Sequence, residues 1–130
     1  MGAMSTLTAA RDSLAAISGV ASCKVGMEDN ISPSDYPLIR LVPSSLTPGQ
    51  PYGSRTIDTL ITFGAQVTES EGLESVYTAL FALELSIRTK IRDLGGRYIT
   101  TVTDEDALPF VDGRPSPYKL MAVRCELREV

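Results

Sequence analysis

Residues 55–96 read RTIDTLITFGAQVTESEGLESVYTALFALELSIRTKIRDLGG, and they hold two periodicities end to end. In the first part Ile57, Thr59, Ile61, Phe63, Ala65 and Val67 fall on one face, and Asp58, Leu60, Thr62, Gly64 and Gln66 on the other. That period of two predicts a long, half-buried strand. In the second part the apolar residues recur every three or four positions, which predicts an amphipathic helix. Thr68 and Glu71 have the capping-box spacing, with Ser70 as a rival N-cap. Glu69, Glu71 and Glu74 open the helix, and Arg88, Lys90 and Arg92 close it, so charge complements the helix dipole. Gly95-Gly96 supplies a left-handed stop without steric cost. A helix ending near Leu94 is roughly 34 Å long at 1.5 Å per residue. The unit carries no catalytic residue type in a suggestive arrangement, so it reads as scaffold.

Traced at 100° per residue, the helix divides. Leu73, Val76, Leu80, Leu83, Ile87, Ile91 and Leu94 make one continuous apolar sector, with Tyr77 at its edge. Phe81 and Leu85 lie beyond that edge, and Glu84 and Arg88, spaced for an ion pair, fall between the two groups. One reading packs the first sector on the sheet and turns Phe81 and Leu85, with Glu84 and Arg88, toward a neighbouring subunit. The other is a single wide buried face that tolerates a charge pair, an arrangement that costs desolvation inside one core.

Outward from this unit the chain is made of short elements. Thr6 to Ser18 predicts a first helix with Leu7, Ala10, Leu14, Ile17 and Val20 as its stripe and Gly19 as its stop. Ser22 to Met27 and Tyr36 to Val42 predict strands, separated by a polar loop over 28–35. Pro43, Pro48, Gly49, Pro51 and Gly53 then crowd a connector too long for a tight hairpin, read as a projecting arm from Pro43 to Arg55. After the long helix, Tyr98 to Thr103 predicts a strand, 104–117 an acidic, proline-containing loop, and Tyr118 to Val130 a closing strand. The order α-β-β-β-α-β-β, with loops rather than crossover helices between strands, predicts an α+β fold: a mainly antiparallel sheet with the helices packed on one face.

A length of 130 residues fits one domain, 1–130, able to bury a core without staples. Met1 to Met4 looks like an expression-vector remnant followed by a native start. Net charge is −4, against a nucleic-acid binder with a concentrated basic patch. Histidine is absent, which removes the commonest general base, the commonest metal ligand and every His-dependent triad. Cys23 and Cys125 sit among alternating apolar residues with no base nearby, as buried, reduced thiols rather than nucleophiles or a disulfide framework. No run approaches the 18 or so apolar residues of a membrane span, and no signal peptide is visible, so a reducing cytoplasm is expected. Asp104, Glu105, Asp106 and Asp112 crowd one loop but lack calcium-loop cadence, so a solvated acidic loop is the simpler reading. Gly95-Gly96-Arg97 follows a helix, whereas phosphate-binding loops precede one. No catalytic, cofactor or metal site is expected, and no enzyme.

The element series is itself suggestive: a short N-terminal helix, strands at ASCKVGM and YPLIRLVPS, a Pro/Gly arm, RTIDTLITFGAQV running into GLESVYTALFALELSIRTKI, and two closing strands. It resembles the tail-terminator and tail-completion proteins of long-tailed bacteriophages and prophages. The resemblance spans essentially the whole chain and rests on element order and texture, since that family has no catalytic motif. It implies a ring-forming subunit, typically a hexamer, that caps the tail tube, ends its polymerisation and joins tail to head. The partners implied are further copies of the chain, the tail tube protein and the head-completion or connector protein. The implied location is the virion tail, after assembly in the bacterial cytoplasm. On that view the arm, including Pro48, Tyr52 and Arg55, reaches a neighbour or the tube. DNA passes through the lumen without sequence-specific binding, past the carboxylates of Asp104, Glu105 and Asp106. Other readings are a head-tail connector or stopper, a tail tube protein, or, from another class, a small ligand-binding regulatory domain.

Overall fold

The computed structural model describes residues 2–26, 33–48, 55–66, 72–103, 110–111, 114–115 and 118–129. Helix α1 spans Ala3–Ala15, followed by strands β1 (Ser22–Val25), β2 (Leu38–Thr47) and β3 (Thr56–Gln66). Helix α2 spans Gly72–Asp93 and leads into β4 (Arg97–Val102), a two-residue pair β5 (Phe110–Val111) and β6 (Arg114–Pro115), and β7 (Tyr118–Arg128). The main sheet has the order β1-β2-β3-β7-β4. It is an α+β fold with a mostly antiparallel sheet, as the alternation and loop pattern imply.

The core lies between the sheet and the helices. The face of β3 carrying Ile57, Ile61 and Phe63 meets Leu7, Ala10 and Leu14 of α1 and Val76, Leu80, Ile87 and Ile91 of α2. Met121, Val123, Cys125 and Leu127 of β7 complete it, paired in antiparallel register from Phe63↔Met121 to Ile57↔Leu127. α2 ends where its glycines stand. Gly96 N–H donates to Ile91 O at 2.9 Å and Gly95 N–H to Arg92 O at 3.0 Å, the two bonds of a Schellman cap. Gly95 has φ +77°, and a Cβ on Gly96 would stand 2.9 Å from Ile91 Cγ2 and 3.0 Å from Leu127 Cδ2. The pair therefore both stops the helix and lets its end sit against β7.

Several expectations are corrected. β1 runs parallel to β2, from Ser22↔Leu38 to Val25↔Leu41. The connection over 26–37 has the dozen or so residues a parallel crossover needs, and strand patterning carries no sign of direction. β2 continues past Val42 to Thr47, so the first part of the expected arm is a strand paired with β3, and residues 49–54 of it lie outside the described residues. Pro43 is tolerated because β1 stops opposite Leu41, leaving the outer edge of β2 with no ladder donor to supply, and a bulge follows between Pro43 and Ser45. The expected loop over 104–117 contains the short β5–β6 pair. α1 begins earlier than expected and ends at Ala15, and Leu94, assigned to the core sector, is 41% exposed because it lies at the cap, past the last helical turn. The capping residues Thr68, Ser70 and Glu71 lie outside the described residues.

The far face of the sheet is not simply solvated. Leu38, Arg40, Thr62, Leu120 and Ala122 are buried there, with Tyr36 packed on Leu38 and Leu120. Gly64 makes this packing possible: a Cβ would collide with Leu120 Cδ2 and stand 2.9 Å from Lys119 O. The Arg40 guanidinium donates to Ser22 Oγ at 3.1 Å and Ile39 O at 2.9 Å, and Ser22 Oγ donates to Asp35 O at 2.8 Å. This network joins β1, β2 and the 3-10 turn Pro33–Asp35.

Candidate assembly surface

The core sector of α2 leaves the opposite side of the helix free, and the surface there is uneven. Phe81 is 54% exposed and Leu85 61%. They follow each other at i and i+4, so they form one apolar ridge on the flank of α2 nearest β4. Phe81 is held from beneath by Tyr77, the two rings stacked with centroids 6.0 Å apart. An exposed aromatic fixed by a stacked neighbour loses little entropy when a partner covers it.

The expected charge pair exists, and most of it belongs to the subunit. Arg88 Nη1 lies 3.7 Å from Glu84 Oε1, with the side chains 45% and 14% exposed. Glu84 Oε2 accepts from Thr101 Oγ1 at 2.7 Å, and Thr101 Oγ1 shares a 2.7 Å hydrogen bond with Tyr98 Oη. The Arg88 guanidinium sits over the Tyr98 ring, 4.4 Å from its centroid. Glu84 thus fastens α2 to β4, which is how a carboxylate can stand so near the core. Arg88 keeps one edge in solvent beside Leu85. Tyr98 and Thr101 were not legible as partners, because only the pairing of β4 with β7 brings them under α2.

On the other flank of α2 is a groove of about 310 Å³. Ala79, Ala82, Leu83 and Ser86 form one wall with Leu80 at its foot, and the turn after α1, from Ile17 to Val20, forms the other. Ser86 Oγ donates to Ala82 O at 3.2 Å, so its hydroxyl is turned onto the helix backbone and the wall is effectively apolar. On the outer ridge, Thr78 and Thr89 bond back in the same way, to Glu74 O and Leu85 O.

The base of the arm is tied to the end of β7. Arg55 Nε donates to Glu129 Oε1 at 3.1 Å, and Glu129 N–H donates to Arg55 O at 2.8 Å. These side-chain hydrogen bonds hold the Glu129 carboxyl below the usual carboxylate range and raise Arg55 further. Pro48 is exposed beyond the end of β2. Tyr52 and the carboxylates Asp104, Glu105, Asp106 and Asp112 lie outside the described residues.

Neither cysteine is set up for chemistry. Burial pushes the Cys125 thiol up to about 12, with Asp58 and Glu126 adding to the effect. Burial likewise raises Cys23 to about 11, and its Sγ lies 3.5 Å from Arg11 O. Among the described residues no group of three or more acidic or cysteine side chains is placed to hold a metal ion. No helix among them is long and apolar enough to cross a membrane. Comparison with protein-family models and with curated proteins finds no match to this chain.

Proposed function

We propose that this chain is the subunit of a ring that caps the tail tube of a long-tailed bacteriophage or prophage, ends tube polymerisation and joins the tail to the head. The observation that carries the reading is the exposed Phe81–Leu85 ridge on a rigidly seated helix. Met4, Leu46, Ile99 and Val102 are exposed as well, but Phe81 and Leu85 adjoin on one helix flank with Tyr77 stacked on the ring, the kind of contiguous apolar patch an interface covers. The element order resembles that of tail-terminator proteins, and this resemblance supports the kind of assembly.

Within that reading, the paired arm projects from β2 and β3 toward a neighbour or the tube. Its base is braced by Arg55 and Glu129. Asp104, Glu105 and Asp106 lie outside the described residues, and their clustering in the sequence motivates the proposal that they face the lumen; lysine substitutions that left DNA passage unchanged would reject it. Electron microscopy of concentrated protein tests the central claim. Closed rings of uniform diameter are expected. Long tubes would make the chain a tube protein, and monomers at the highest soluble concentration would reject a self-assembling ring.

A further inference from the structure

We propose that successive copies of the chain meet through α2 itself, with Phe81 and Leu85 of one copy entering the groove between α2 and the turn after α1 of the next. This rests on reading the chain as a ring subunit, and it names the two surfaces that would build the ring.

Size and chemistry fit first. An apolar cavity of about 150 Å³ holds a benzene-sized ring. A groove of about 310 Å³ therefore has room for a phenyl ring and a leucine side chain together. Its α2 wall combines the small residues Ala79, Ala82 and Ser86 with the apolar Leu80 and Leu83, and the serine hydroxyl is satisfied within the helix. A partner's apolar ridge would leave no polar group of that wall unpaired.

Position along the helix is the stronger argument. In a ring whose axis runs along α2, each copy follows from the last by rotation alone, so every residue stays at its own height. Phe81 and Leu85 can then meet only a recess at their own level. The groove's α2 wall runs from Ala79 to Ser86, which brackets them. Around the helix the ridge and the groove are turned by about 130° through the solvent side, at 100° per residue. Patches set diametrically apart would extend a straight line, whereas patches turned toward each other let a head-to-tail contact curve back on itself. One opposite-charge pair falls in register as well. Exposed Arg92 lies on the ridge side and exposed Asp93 on the groove side, one residue apart in height, while Lys90 is turned further toward the sheet.

Sedimentation of the purified chain and two variants tests the contact. Phe81→Asp with Leu85→Asp removes the ridge and keeps the groove; Ala79→Trp fills the groove and keeps the ridge. Each variant alone should stay monomeric, with association weakened roughly 100-fold or more. An equimolar mixture should form heterodimers and stop there, because one intact ridge then meets one intact groove and both outer surfaces are dead. Thermal melting checks that each variant is folded, and Ala82→Arg replaces Ala79→Trp should the latter melt early. Assembly of the groove-filled variant at the wild-type level, or a mixture that remains monomeric, would overturn the contact while leaving a ring built through other surfaces. A wild-type chain that never associates would overturn both.

Discussion

Leu80 and Phe81 are neighbours in the chain and opposites in the fold, so alanine at Leu80 acts first on subunit stability, although its side chain also floors the groove, and alanine at Phe81 acts first on assembly. Leu80 is 1% exposed, at the centre of the α2 core face. Leu80→Ala should cost about 2–5 kcal/mol, the transfer term plus the cavity left behind. At roughly 4 °C per kcal/mol for a domain of this size, that lowers Tm by about 8–20 °C. Phe81 is 54% exposed, so about half of a phenylalanine's burial is already realised within the subunit. Losing it, together with the stack on Tyr77, should cost about 1–2 kcal/mol. The exposed half is on the order of 100 Å², worth about 2.5 kcal/mol per contact when a neighbour covers it. Phe81→Ala should therefore weaken association close to 100-fold, at 1.4 kcal/mol per decade, while the dilute monomer stays folded. Urea denaturation of the dilute chain reads the first quantity, and sedimentation across a concentration series reads the second. Equal destabilisation of the monomer by both substitutions would place Phe81 in the core and refute the two-sector assignment. A Phe81→Ala chain that associates as strongly as the wild type would show that nothing covers the ring.

Three further outcomes are expected. Gly64→Ala should destabilise by about 1–3 kcal/mol, because the new methyl meets Lys119 O as well as Leu120, and backbone cannot swing aside as a side-chain end can; urea denaturation measures it. The Glu129 carboxyl, held low by Arg55, should titrate below a model glutamate by NMR, and Arg55→Gln should return it to the ordinary range. Because its folded pKa is depressed, the contact is intact above the unfolded value of about 4.3 and is lost as pH falls through the folded one. Cys125 should resist thiol reagents at pH 8 until the protein unfolds. Its folded pKa is raised, so its contribution is complete below the unfolded value near 9 and declines as pH climbs toward about 12, which a series of alkaline denaturation curves would follow.

Much of the fold was legible because it depends on local periodicity. β3 and α2 follow from patterns of two and of three to four, and Gly95-Gly96 ends α2 with the two bonds its position implies. The direction of β1 was not legible, since four alternating residues look the same in a parallel and an antiparallel ladder. Nor was the continuation of β2 through Pro43, which depends on where its neighbour happens to stop. Tyr36 and Leu120 show no sign in the chain that they cover the far face of the sheet, because the gap they use exists only where Gly64 passes beneath them.

The stretch 55–96 shows the division most clearly. By itself the sequence determined that α2 has a core sector and a second apolar pair, because angles around a helix follow from residue number alone. Tertiary structure decided what lies on either side of that pair. Glu84 is drawn to Thr101 and β4 on one flank, and the turn after α1 raises the wall of a groove on the other. Both depend on contacts between segments far apart in the chain, which a pattern within one helix cannot encode.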